Sequence, residues 1–199
     1  MSLRLPMPKA LLRIALLALP LLAAAPAQAG TVCNYTNVQP VFSPWLDPAM
    51  YTPFPGSAFE SGASGWSWNG GANIVSGDSN RALNAGTHAV QVPGGGQAKS
   101  PWLCVSATTP SMRFFVRRTA GAGSLRVQGF LNGPNGKISS IVMTILADGT
   151  WRPSPVVLFP PAFTTILMTG DYKAQFFFIA DPGSTFRIDD IQLDPFKGH

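Results

Sequence analysis

The spacing of turn-forming residues constrains this chain most. Twenty glycines and 19 prolines are spread through 199 residues, and from Phe59 onward they leave only short uninterrupted runs. A long amphipathic helix needs more room: proline removes an amide donor and clashes with the preceding turn, and glycine costs about 1 kcal/mol relative to alanine. Between the breaks stand apolar, β-branched and aromatic stretches. They predict strands over residues 65–69, 72–75, 88–92, 99–105, 111–118, 124–131, 137–146, 155–159, 172–180 and 185–193. Residues 132–136 and 148–149 read as hairpin-type turns. Residues 162–169 stay open between a helical turn and extended chain. Many strands at short spacing point to an all-β sandwich of two antiparallel sheets.

The two termini of this stretch are different in kind. Arg4, Lys9 and Arg13 lead into an apolar run over residues 14–25, followed by the small-x-small pattern Ala27-Gln28-Ala29. That is a signal peptide cleaved after Ala29; its 12 uncharged residues fall short of the about 20 a membrane span needs. Secretion follows, with no membrane span in the mature chain. Residues 30–58 form an irregular arm, because Pro44, Pro48, Pro53 and Pro55 forbid a long helix there. Its Trp45, Tyr51 and Phe54 call for packing rather than exposure. Residues 59–199 form the sandwich domain. Without its leader the chain carries 11 basic and 9 acidic residues. That balance lacks the basic stripe nucleic acid requires. Cys33 and Cys104 are the only cysteines, and in an oxidising compartment they read as one disulfide tying the arm to the domain.

Two segments bracket the domain: Phe59-Glu60-Ser61-Gly62 with Gly65-Trp66 after it, and Phe186-Arg187-Ile188-Asp189-Asp190-Ile191-Gln192-Leu193. The pair resembles the first and last strands of jelly-roll carbohydrate-binding modules and their galactose-binding-like relatives. The chain is also similar to small secreted bacterial proteins of unknown function. They share a cysteine with a Phe-x-Pro-Trp-x-Asp arm, here Cys33 and residues 42–47, and an Asp-Asp-Ile-x-x-Asp-Pro end, here residues 189–195. The resemblance implies a jelly-roll β-sandwich that binds glycan without turnover. It also implies a structural calcium ion held by Glu60 and an aspartate of Asp189-Asp190, with Asp78 as a weaker counterpart of a further ligand. Calcium takes six to eight oxygens, so carboxylates from both ends of the chain can clip adjacent strands. Strict strand alternation would put Asp189 and Asp190 on opposite faces, so that only one reaches the ion. The plain alternative is that either aspartate caps a turn or pairs with Arg187 or Arg113.

Trp66 and Trp68 lie two apart on one expected strand and so share a face; in the resembling modules the first is a core residue, and Trp68 would follow it inward or present a ring to sugar. Trp102 and Trp151 sit beside prolines at strand ends, where exposed platforms occur. Trp102, Trp151 and Trp68 are therefore the candidate ligand-binding residues. Catalytic chemistry has little to start from. Glu60 is the only glutamate and His88 the only histidine before the C-terminal residue, which is a poor stock for the paired carboxylates of glycoside hydrolysis. A polysaccharide or other glycan is the expected partner. The competing function is an extracellular structural or protein-interaction domain.

Overall fold

The computed structural model describes residues 33–80, 82–83 and 86–195. The leader, its cleavage point and the last four residues lie outside them. Thirteen strands and one short helix follow in order: β1 (Thr52–Pro53), β2 (Ser67–Asn69), β3 (Asn73–Ser76), β4 (His88–Val92), β5 (Gln97–Lys99), β6 (Leu103–Val105), β7 (Ser111–Ala120), β8 (Leu125–Gly133), β9 (Gly136–Ile145), β10 (Arg152–Pro153), β11 (Val157–Leu158), α1 (Pro161–Leu167), β12 (Tyr172–Ala180) and β13 (Thr185–Asp194). A seven-stranded antiparallel sheet runs β10-β7-β13-β4-β3, with β1 also on β13 and β11 also on β7. A six-stranded one runs β2-β5-β12-β8-β9, with β6 also on β12. The protein is thus an all-β sandwich with an irregular N-terminal arm.

Glycine and proline punctuation set most of these boundaries. The single strand expected over 99–105 is two, β5 and β6, because Pro101 has no amide to give the ladder. Both pieces pair with β12. The 162–169 stretch resolves as α1, opened by Pro161 at a position where a missing N–H costs nothing.

Period-two alternation builds the core. Phe176, Phe178 and Ala180 of β12 and Leu125, Val127 and Leu131 of β8 point inward. They meet Met112, Phe114 and Val116 of β7 and Phe186 and Ile188 of β13 from the other sheet. Phe114 and Phe178 touch edge to face across the gap, 5.1 Å between centroids. Trp66 is buried among them, as expected of a core residue.

The arm lies on the outward side of the seven-stranded sheet. Phe42 and Tyr51 pack against Phe115 as a second, separate apolar cluster, and Phe54 joins the main core. Trp45 touches Phe115 edge-on but stays 38% exposed, contrary to the expectation that it packs away. Cys33 and Cys104 are joined, 5.4 Å between Cα atoms, so the arm is stapled to β6 of the opposite sheet. Among the described residues no helix is long and apolar enough to cross a membrane.

Candidate functional site

Where Phe176 and Phe178 face inward, the residues between and beside them must face out. Register places Phe177 beside Lys99 and Gln128, Gln175 beside Phe130, Phe130 beside Ser139, and Lys173 and Lys137 on either side of Asn132. Partners in an antiparallel ladder share a face, so these residues form one outward surface on the six-stranded sheet. Phe130 and Phe177 remain partly exposed there, their rings 4.7 Å apart. The Lys99 ammonium stands 5.6 Å from the Phe177 ring centroid. Gln175 is fixed by donating from Nε2 to the Ser100 carbonyl at 2.8 Å.

Trp102 joins this surface. It is 41% exposed, and the Lys137 ammonium lies 5.5 Å over its ring, which brings the indole to the outward side. Trp68 lies elsewhere: it stacks on Trp66 at 6.0 Å and packs against the core. Trp151 belongs to the opposite sheet. Its Nε1 donates to Asp78 at 3.1 Å, and the Arg117 guanidinium sits 5.6 Å over its ring. With Trp45 and Arg113 it lines an open cleft of about 610 Å³. The three candidate tryptophans therefore do not converge on one surface. Phe130 and Phe177 went unnoticed, although three consecutive phenylalanines on a strand oblige the middle one to face away from the core.

The carboxylates at the other end of the molecule form a second feature. Asp189 is 1% exposed and Asp190 3%. Alternation does not separate them. The β13–β7 register slips between Asp189 and Gln192, and Asp190 takes a left-handed φ of 46°. This bulge turns both side chains to one neighbour, the Asn80 amide, whose Nδ2 lies 2.8 Å from an oxygen of each. The expectation that only one could reach a common site is corrected by this bulge. Neither aspartate takes up Arg187 or Arg113, which pair instead with Asp78 and Asp47. Burial first, and then the charge of Asp190, push the Asp189 carboxyl up to about 8. Asp78, bound by Arg117 and Arg187, is held by the arginines.

Glu60 lies at the start of β4. Its Oε1 accepts the amides of Thr87 and His88 at 2.8 and 2.7 Å, and Oε2 meets His88 Nδ1 at 2.9 Å. Desolvation alone would raise this carboxyl, but the hydrogen bonds from His88 and Thr87 outweigh it and hold it below the usual range. Among the described residues, the one group of three His, Cys, Asp or Glu ligand atoms all within 4.8 Å is Cys33, Cys104 and Asp171. Two of those three are the disulfide, so that group is no metal centre.

No protein-family model and no curated protein matches the chain. Among solved structures it matches carbohydrate-binding-module β-sandwich domains at low sequence identity. One is the xylan-binding CBM22-1 domain from Paenibacillus barcinonensis, at 14% identity over 72% of this chain and 94% of that one, TM-score 0.49. A second is TmCBM61 in complex with β-1,4-galactotriose, at 18% identity over 69% and 94%, TM-score 0.42. A third belongs to an enzyme, the CBM22-1–GH10 modules of a Clostridium thermocellum endo-1,4-β-D-xylanase complexed with xylohexaose. There the match covers 69% of this chain but 27% of that one, at 15% identity and TM-score 0.49. These likenesses concern the fold.

Proposed function

We propose that this is an exported, non-catalytic module that binds polysaccharide on the outward face of its six-stranded sheet. One observation carries the reading: Phe130, Phe177 and Trp102 stand partly exposed on that face, among the neutral hydrogen-bonding groups of Gln97, Gln128 and Ser139. Sugar rings present flat C–H faces edged by hydroxyls, so they need apolar plates with amide and hydroxyl groups between them. A sheet holds such groups rigid at fixed spacing, which lowers the ordering cost of binding. Export is supported by the basic-apolar-small leader and by the disulfide.

Affinity for a short glycan is expected in the millimolar-to-micromolar range, about −4 to −8 kcal/mol. The test is affinity electrophoresis of the mature domain through a panel of plant and microbial polysaccharides, repeated with Trp102→Ala and Phe177→Ala. Both variants should lose retardation while melting nearly as the parent does. Retardation unchanged in both, or no polysaccharide retarding the parent, returns the competing reading of a protein-interaction domain.

The corner at Asp189 and Asp190 has the donor chemistry for calcium: two adjacent buried carboxylates beside an amide, with the Asp189 carboxyl raised by desolvation and by its neighbour. Asp189 and Asp190 would hold the ion. Glu60, bonded to Thr87 and His88, is not gathered with these two aspartates into a group of ligand atoms within 4.8 Å of one another, so it stands outside the set. A divalent cation there would supply positive charge that fixes the β13 bulge.

A further inference from the structure

The charged residues of the two sheets are segregated in a way that names the class of polysaccharide. The strands of the six-stranded sheet carry Lys99, Arg126, Lys137 and Lys173 and not one acidic residue. None of the four forms an ion pair with a described carboxylate; the pairs present are His88–Glu60, Arg113–Asp47, Arg117–Asp78, Arg152–Asp148 and Arg187–Asp78. The acidic groups flanking β12 are otherwise engaged. Asp171 accepts the Cys33 amide at 2.6 Å. Asp181 is held low by hydrogen bonds from Ser124, with a smaller contribution from Arg126. Register puts all four cations on the outward face, through Lys99↔Phe177, Arg126↔Ile179, Lys173↔Asn132 and Asn132↔Lys137.

Two of these cations lie directly over aromatic rings, Lys99 over Phe177 and Lys137 over Trp102. An ammonium placed there can meet an anion on a sugar whose ring rests on the same aromatic surface. By strand spacing and rise the Cα atoms of the two lysines are roughly 20 Å apart, three strands across and four residues along, and their ammonium groups reach over Phe177 and Trp102. A surface anchored on four strands suits an extended polymer better than a single sugar. We propose that the face recognises an acidic polysaccharide, one bearing uronate carboxylates, with Lys99 and Lys137 as charge-reading groups and Phe177 and Trp102 as the plates beside them. The proposal rests on the glycan-binding reading of this same face and adds the charge of the ligand to it.

The experiment compares the mature protein's binding to polygalacturonate, to fully methyl-esterified polygalacturonate, to neutral β-1,4-xylan and to poly-glutamate, by calorimetry at low and raised salt. Polygalacturonate should bind best, at least about tenfold tighter than its ester, and weaken as salt screens the surface. Lys99→Gln and Lys137→Gln should each weaken it by up to about fivefold, the scale of one exposed ion pair, and Lys→Arg at either position should retain it. Trp102→Ala should weaken acid and ester alike. Equal affinity for acid and ester overturns the proposal while leaving glycan binding in place. Poly-glutamate binding as tightly as polygalacturonate also overturns it, because the face would then read charge alone. No binding to any polysaccharide removes both readings.

Discussion

On the seven-stranded sheet, outward Arg113, Arg117 and Arg187 each meet a carboxylate, and the arm lays Phe42 and Tyr51 over Phe115. On the six-stranded sheet, outward Lys99, Arg126, Lys137 and Lys173 form no ion pair with a described carboxylate, and Phe130 and Phe177 keep part of their rings in solvent. Three of the four outward cations on the six-stranded sheet are lysines, Arg126 being the exception, whereas the three paired cations named on the other sheet are arginines. Guanidinium is planar and weakly hydrated and suits covered, multiply bonded pairs; ammonium is strongly hydrated and stays at the water's edge. One sheet therefore has its outward side partly covered by the chain's own arm and ion pairs, and the other presents a rigid, cationic, aromatic surface. A sandwich needs both inner faces for its core, so binding is left to outer faces, edges and loops. Of the two outer faces the arm covers part of the seven-stranded one, leaving a cleft beside Trp45 and Trp151.

The carboxylate corner departs from this pattern on the seven-stranded sheet, and it gives the largest expected effect. An unfolded aspartate loses its proton near pH 4, whereas folded Asp189 keeps its own up to about 8. Between those values the folded state binds more protons than the unfolded one. The contribution of Asp189 to stability should accordingly be fully present below about pH 4 and fall as pH rises toward 8, with an upper limit on the order of 5 kcal/mol. In chelator, thermal melting followed from pH 5 to pH 8 should show this decline. Calcium added at pH 8 should reverse it, and Asp189→Asn should abolish both the pH slope and the calcium response. A melting temperature independent of pH and of calcium would mean that the pair is compensated from within the protein.

The next effect contrasts neighbours on one strand. Phe176→Ala should cost about 3–5 kcal/mol in urea unfolding, as for other fully buried phenylalanines, and Phe177→Ala less than about 1 kcal/mol. Similar costs would show that the outward face is structural. A smaller contrast sets the two kinds of surface charge against each other. Asp78→Asn leaves Arg117 and Arg187 side by side without their common negative charge, while the amide oxygen can still accept from the Trp151 indole; since these side chains are partly exposed, about 1–3 kcal/mol is expected. Lys99→Gln, with no carboxylate partner, should stay within about 0.5 kcal/mol of the parent. Equal penalties would erase the distinction between the sheets.

Several features were legible in the residues alone because their physics is local. Glycine and proline restrict the backbone whatever lies around them, so most strand limits followed from punctuation. Alternation along the strand pointed to the sandwich and a lone pair of cysteines to the Cys33–Cys104 bond, while the buried Trp66 was implied by the resemblance of the Gly-Trp segment to binding modules. Other features depend on partners far away in the chain. Lys99 reaches Phe177 only because β5 pairs with β12, and the cations fall on one sheet only because β5, β8, β9 and β12 assemble together. The bulge that aims Asp189 and Asp190 at Asn80 is likewise a property of β13 against β7, since nothing within the Asp-Asp dipeptide breaks its own alternation. The sequence by itself determined that the chain makes strands and how its core alternates. Tertiary structure alone decided which outward residues became neighbours, because sheet order and register are set by contacts between distant segments.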